Sequence, residues 1–191
     1  MRRLTALYAG IAAADTLLAA TGRHRARFVT KPLLMPTLIP GRPPEVQRAL
    51  ALGAAGDVAL LGHGDVAFTA GLGSFLLGHV AWVAALRPRS TGAVTPAKAA
   101  PYLAAWVGLN AYLWPRTGKD RLPVLAYSTA LLATALAALD TGDARTAAGG
   151  ALFLASDTLL AVERFSGTHL PGHEGLVMAS YSAAQALLAS R

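Results

Sequence analysis

The sequence predicts an all-α fold: a polytopic membrane helix bundle of about eight transmembrane helices, forming one domain over residues 1–191. Three observations carry this expectation. Hydrophobic residues make up 54% of the chain and charged residues only 14%, against about 25% charged in an ordinary soluble domain. The mean hydropathy is +0.44. Apolar runs close to the length of a membrane span, ~20 residues, recur between short basic loops, and these leave no stretch long enough for a soluble domain alongside.

The first helix is expected over Leu4–Ala20. Two arginines precede it as in a secretory signal, but Asp15 within the run and the lack of a clean cleavage motif mark it as retained. Gly22 and the basic RHRAR at 23–27 read as the loop that closes it. Helix 2, Phe28–Pro40, carries Pro32, Pro36 and Pro40; because interior prolines remove ladder hydrogen bonds, it is predicted to be kinked or half-spanning. Helix 3 is placed at Val46–Leu61 and followed by a tight turn at His63–Asp65. Helix 4, Phe68–Leu86, contains Ser74 and Gly78, a small-xxx-small pair suited to close helix contact. Helix 5 covers Ala97–Trp114 with Pro101 and Asn110, and helix 6 covers Leu122–Leu139 with Tyr127 near its start. Helix 7 runs Thr146–Val162, bounded by Glu163 and Arg164. Helix 8, Glu174–Ala189, sets Tyr181 and Gln185 one turn apart on one face.

Composition also excludes chemistries. There is no cysteine, so disulfides, thiolate metal sites and cysteine nucleophiles are absent. No HExxH occurs, and His24, His63, His79, His169 and His173 lack paired carboxylate spacing, so no metal site and no cofactor are predicted. GLGSF around Ser74 lacks the second glycine of a serine nucleophile elbow. The net charge of +7 sits in loops beside apolar spans, where it meets anionic lipid head groups and not nucleic acid.

The distinctive feature is three aspartates inside three apolar runs: Asp15, Asp57 and Asp157. An ionised carboxylate in hydrocarbon is costly, so each must face a protein interior, a wet cavity or a proton it keeps. With helix starts at Leu4, Val46 and Thr146, all three fall 11 residues in, about 16 Å along the axis. Helices 1, 3 and 7 run the same way, so the carboxylates can meet at one level. ADTLLAA at 14–20 and SDTLLAV at 156–162 repeat locally, with GDVALL at 56–61 a looser echo. Each aspartate has a bland reading as a hydrogen-bond acceptor joining helices, and Asp15 suits that role best. His79 reads as proton relay, phosphate contact or hydrogen-bonded core histidine. Lys31, just before Pro32, reads as a partner of lipid phosphate or of an aspartate, or as a snorkelling side chain. Tyr127, Asn110, Tyr181 and Gln185 are donors to a carboxylate or head group.

Taken together, Lys31-Pro32, Gly56-Asp57, GLGSFLLGHVAW at 71–82, GALFLASDTLLA at 150–161, and Tyr181 with Gln185 resemble the YhhN family of lysoplasmalogenase-like membrane proteins. Trp82 stands where the family pattern leads one to expect tyrosine, and Asp15 matches no family position. The resemblance implies eight transmembrane helices in the cell (plasma) membrane, a lysophospholipid substrate among membrane lipids, and hydrolysis of a vinyl ether to a fatty aldehyde and a glycerophospho-alcohol. Asp57 and Asp157 are then the catalytic acid/base pair, with either able to be the acid; Lys31, His79, Tyr127, Tyr181, Gln185 and Asn110 contact the substrate or support the pair. Paired carboxylates suit this chemistry because one must hold a proton while the other stabilises positive charge or activates water. A proton-coupled transporter or lipid flippase using a buried aspartate is the alternative, separated from the enzyme by whether aldehyde is released; a purely structural membrane protein would tolerate Asp→Asn at both sites.

Overall fold

Seven of the helices close into a ring, and the eighth stands outside it. The computed structural model describes residues 2–167 and 171–190, and His169 of the sequence reading lies outside them. The helices are α1 (Arg2–Ala20), α2 (His24–Leu38), α3 (Pro44–Ala59), α4 (Gly64–Leu86), α5 (Pro96–Leu113), α6 (Arg121–Asp140), α7 (Ala144–Ser166) and α8 (His173–Leu188), with short 3-10 turns at Arg87–Arg89 and Gly118–Asp120. Packing runs α1 on α2, α2 on α3, α3 on α4, α4 on α6, α6 on α7, α7 on α8, and α8 back on α1. α5 leans on α6 and α7 from outside, and Leu113 is its one buried residue.

Two helical regions, Gly64–Arg89 and Gly118–Asp140, are long and apolar enough to cross a membrane. The exterior is as greasy as the interior: Leu7, Leu17, Val29, Val66, Leu77, Val80, Val107 and Leu122 are all exposed. Apolar burial gains little where the outer face is also apolar, so close approach and interhelical hydrogen bonds must hold such a bundle. Both are present. α7 carries adjacent glycines that face opposite neighbours. A Cβ at Gly149 would sit 3.0 Å from Leu187 Cβ and the Leu188 nitrogen of α8, and one at Gly150 would sit 2.8 Å from Ala138 Cβ and 3.0 Å from Ala135 Cα of α6. The predicted Ser74/Gly78 pair also sits against α3, the Ser74 hydroxyl donating to Leu52 O at 2.7 Å. Tyr8 closes the ring by donating to Ser182 O at 2.6 Å.

Several boundaries differ from the sequence expectation, each for a local reason. Residues 24–27 are not loop but the first turn of α2; 24–26 are exposed, while Arg27 is half-buried against acidic partners on α1 and α8. α2 is one continuous 15-residue helix with Pro32 and Pro36 inside it, about 22 Å long, and Lys31 stands at its middle and not at the start of a broken segment. The His63–Asp65 turn is shorter than expected, because His63 is the N-cap and α4 begins at Gly64. α7 continues through Glu163 and Arg164 and stops at Gly167, whose φ of 68° supplies the left-handed C-cap, a conformation that favours glycine.

Candidate active site

The odd-numbered helices end, and the even-numbered helices begin, at one face of the ring. The three aspartates lie an equal distance along their helices. α1, α3 and α7 each start two residues earlier than expected, at 2, 44 and 144, so Asp15, Asp57 and Asp157 each lie 13 residues in. Asp57 and Asp157 line a common cavity of about 350 Å³, whereas Asp15 does not. Its lining residues come from α2, α3, α4, α6, α7 and α8, chiefly from the halves near that one face. Lys31 and Tyr181 lie about 10–12 Å below the starts of their helices, and Asp157 about 14 Å below the end of its own.

Two polar clusters meet there. On one wall, Lys31 Nζ is 3.3 Å from Asp57 Oδ1, with both side chains largely withdrawn from solvent. The Tyr181 hydroxyl donates to Asp57 Oδ2 at 2.7 Å and accepts from Gln185 Nε2 at 3.3 Å. Asp57 thus has a cation on one oxygen and a neutral donor on the other. On the opposite wall, the Tyr127 hydroxyl and Asp157 Oδ2 are hydrogen-bonded. His79 Nε2 lies 3.2 Å from the Tyr127 hydroxyl and 3.9 Å from Asp157 Oδ2, and its Nδ1 is 3.1 Å from Thr134 Oγ1. The Phe153 ring stands between the clusters, 4.6 Å from the His79 ring and 5.5 Å from that of Tyr181, centroid to centroid. Leu60, Leu72, Phe75, Val124, Leu160 and Met178 make the rest of the wall mostly apolar.

Of the side chains singled out in the sequence, Lys31, Asp57, Tyr127, Asp157 and Tyr181 line the cavity, while His79 and Gln185 stand directly behind the tyrosines. Asn110 is placed elsewhere in the fold. It lies off the cavity because its amide is used in joining α5 to α6, accepting from Ser128 Oγ at 3.0 Å and donating to Trp106 O. Asp15 is fully buried; it accepts from Thr30 Oγ1 at 2.6 Å and holds Arg27 at 3.5 Å. Arg27 in turn reaches Glu174 at 3.1 Å.

Sequence reasoning missed the charged mouth. Arg27, Glu163, Arg164, His173 and Glu174 all line the outer end of the cavity, and His173 Nε2 pairs with Glu163 Oε2 at 2.7 Å across α7 and α8. One signal was available: Asp157, Leu160, Ala161 and Arg164 follow the i, i+3, i+4, i+7 spacing of a single helical face. No group of three or more potential metal ligands occurs among the described residues.

The class that fold and site define is an all-helical protein with a ring of helices around a largely apolar, acid-lined cavity that carries charged residues at one end. The YhhN family profile matches residues 26–191, and the chain belongs to the YhhN family. Lysoplasmalogenases of Mycobacterium bovis and Mycobacterium tuberculosis are each 36% identical over 152 residues, covering 73% of this chain and 57% of theirs. The chain therefore spans a little over half the length of these curated relatives. No solved structure matches it.

Proposed function

We propose that the protein is an integral membrane hydrolase with eight membrane-embedded helices in the cell membrane. On this reading it cleaves the vinyl ether of lysoplasmalogen-like lysophospholipids. The observation that carries the proposal is the juxtaposition of Asp57 and Asp157 on opposite polar walls of one apolar cavity, in a chain whose named relatives are lysoplasmalogenases. The greasy exterior and the glycine-mediated packing support the membrane setting. A cavity walled chiefly from one half of the ring favours an enzyme that takes its substrate from one side over a transport path running end to end.

Hydrogen bookkeeping supports dividing the roles. The Thr134 hydroxyl has one proton and two carbonyl acceptors, His79 O and Ala130 O, so it receives the proton of His79 Nδ1. Nε2 of the same ring faces the Tyr127 hydroxyl at 3.2 Å. The Tyr127 hydroxyl in turn donates to Asp157 Oδ2, so Asp157 ends a chain of exchangeable protons that runs from the imidazole through the phenol. Asp157 is the acid in this scheme, and His79, Tyr127 and Thr134 are positioning residues that orient its carboxyl group. Asp57, facing Lys31 and receiving the single Tyr181 proton, is the base in this scheme.

The steps balance. Asp157 gives its proton to the β-carbon of the vinyl ether, leaving an oxocarbenium ion. Asp57 stabilises this cation and takes a proton from the water that adds to it, forming a hemiacetal. As the hemiacetal C–O bond breaks, the glycerol oxygen takes the Asp57 proton and the hemiacetal hydroxyl proton returns to Asp157. The products are a fatty aldehyde and a glycerophospho-alcohol.

The test is aldehyde release by protein purified in detergent from a 1-alkenyl-glycerophosphoethanolamine. Wild type releases aldehyde, and Asp57→Asn and Asp157→Asn each lose roughly 10²–10⁴-fold in kcat. Asp15→Asn, which lies off the cavity, stays within about tenfold of wild type. No aldehyde from wild type, or undiminished release by both cavity variants, ends the proposal.

A further inference from the structure

The cations around the cavity differ in how far they are already engaged. Lys31 faces Asp57 at 3.3 Å, and Arg27 is held by Asp15 and Glu174. Lys119, across the rim, is joined to Asp65. Arg164 is different. Its guanidinium carbon lies 3.6 Å from the centroid of the Phe68 ring and 5.7 Å from that of Phe165. Among the described residues it makes no hydrogen bond or ion pair. The two rings meet edge to face at 6.1 Å, so the guanidinium is oriented on its flat face while its N–H edge is left open. A planar fork held by stacking loses less freedom when it binds and matches the geometry of a phosphate oxygen pair.

Its position relative to the carboxylates is equally specific. Arg164 lies seven residues beyond Asp157, two turns toward the mouth on the same cavity-lining stripe, a rise of about 10 Å. Helical side chains lean toward the N-terminal end of their helix, so the arginine reaches back toward Asp157. In a glycerophospholipid carrying one ether chain, six single bonds separate the ether's α-carbon from phosphorus, roughly 7 Å when extended with bonds near 1.5 Å. With a hydrogen bond at each end, that length suits the gap.

The geometry points to Arg164, stacked on Phe68, as the residue that binds the phosphate of a single-chain glycerophospholipid and sets how deep its ether bond enters. This rests on the hydrolase reading above and adds to it a specificity determinant: the enzyme distinguishes lysophospholipids from head-group-free alkenylglycerols through one guanidinium.

Two measurements test it. The first is the ratio of KM for 1-alkenylglycerol to KM for 1-alkenyl-glycerophosphoethanolamine, in wild type, Arg164→Ala, Arg164→Lys and Phe68→Leu. Losing a charge-assisted hydrogen-bond pair predicts a roughly 10- to 100-fold collapse of that ratio in Arg164→Ala. Arg164→Lys recovers part of it, and Phe68→Leu, which keeps the charge but removes the platform, shows a smaller fall. An unchanged ratio, or equal losses on both substrates, overturns the assignment.

The second is equilibrium binding, to protein in nanodiscs, of a non-cleavable 1-alkyl-glycerophosphoethanolamine, a 1-alkylglycerol and inorganic phosphate. This arm does not depend on turnover, so it separates failure of the assignment from failure of the hydrolase reading, which shows as no aldehyde from either cleavable lipid. Tighter binding of the phospholipid that vanishes in Arg164→Ala supports the assignment. Arg164-dependent binding of inorganic phosphate without that lipid preference marks a free-phosphate site and overturns it.

Discussion

Replacing Lys31 by methionine removes the cation that, among the described residues, pairs with Asp57, while keeping most of the side-chain volume. At the 3.3 Å separation of Nζ and Oδ1, an effective dielectric near 20 gives an attraction of about 5 kcal/mol. Breaking one side of such a buried pair leaves a desolvated charge behind and costs about 3–5 kcal/mol. Adding Asp57→Asn removes that charge too, and the amide oxygen still accepts from Tyr181. The double variant therefore recovers most of the loss, to within ~1.5 kcal/mol of wild type, although it is inactive. Thermal unfolding in detergent measures this: Lys31→Met lowers the midpoint by of order 10 °C, and Lys31→Met/Asp57→Asn regains most of it. If Lys31→Met melts with wild type, or the double variant melts no later than Lys31→Met, the two groups are not the coupled pair described.

Two further predictions address packing and proton placement. Gly150→Ala puts a methyl 2.8 Å from Ala138 Cβ and close to the α6 backbone, costing about 1–3 kcal/mol. Gly73→Ala, where nothing lies within 4 Å, is neutral or gains about 0.5–1 kcal/mol; comparing the two melting points checks the contrast. Thr134→Val removes the acceptor of His79 Nδ1 and frees the imidazole to change tautomer, so kcat for aldehyde release falls roughly tenfold with KM unchanged. Equal kcat in Thr134→Val and wild type removes His79 from the positioning scheme.

What was legible in the sequence was legible for local reasons. An aspartate inside an apolar run declares its own cost, and equal spacing from the helix starts survived even though each start lay two residues earlier than expected. Tyr181 and Gln185 were found because one turn separates them. The Arg-rich start of α2 was misread because the partner that holds Arg27 at the mouth, Glu174, lies 147 residues away, and no local pattern announces it. Arg164 looked like a helix terminus for the same kind of reason: the ring that makes it useful, Phe68, sits on a helix distant in sequence. Asn110 lies away from the cavity, where α5 meets α6, and accepts from Ser128 there, a placement that no local pattern in the sequence announces.

The displaced α5 has a kinetic meaning. Every other join of the ring but the α8–α1 closure links consecutive helices, whereas the α4–α6 join requires the chain to leave, build α5 and return. Such a non-local docking pays loop-closure entropy before contacts repay it. The bonds from His79 to Thr134 and Tyr127 cross that join. The polar wall bearing Asp157 therefore acquires its histidine only when this docking is made, while Lys31 and Asp57, on the successive helices α2 and α3, can find each other first. A chain stalled before that step would hold Lys31 and Asp57 paired and the Asp157 wall unwired.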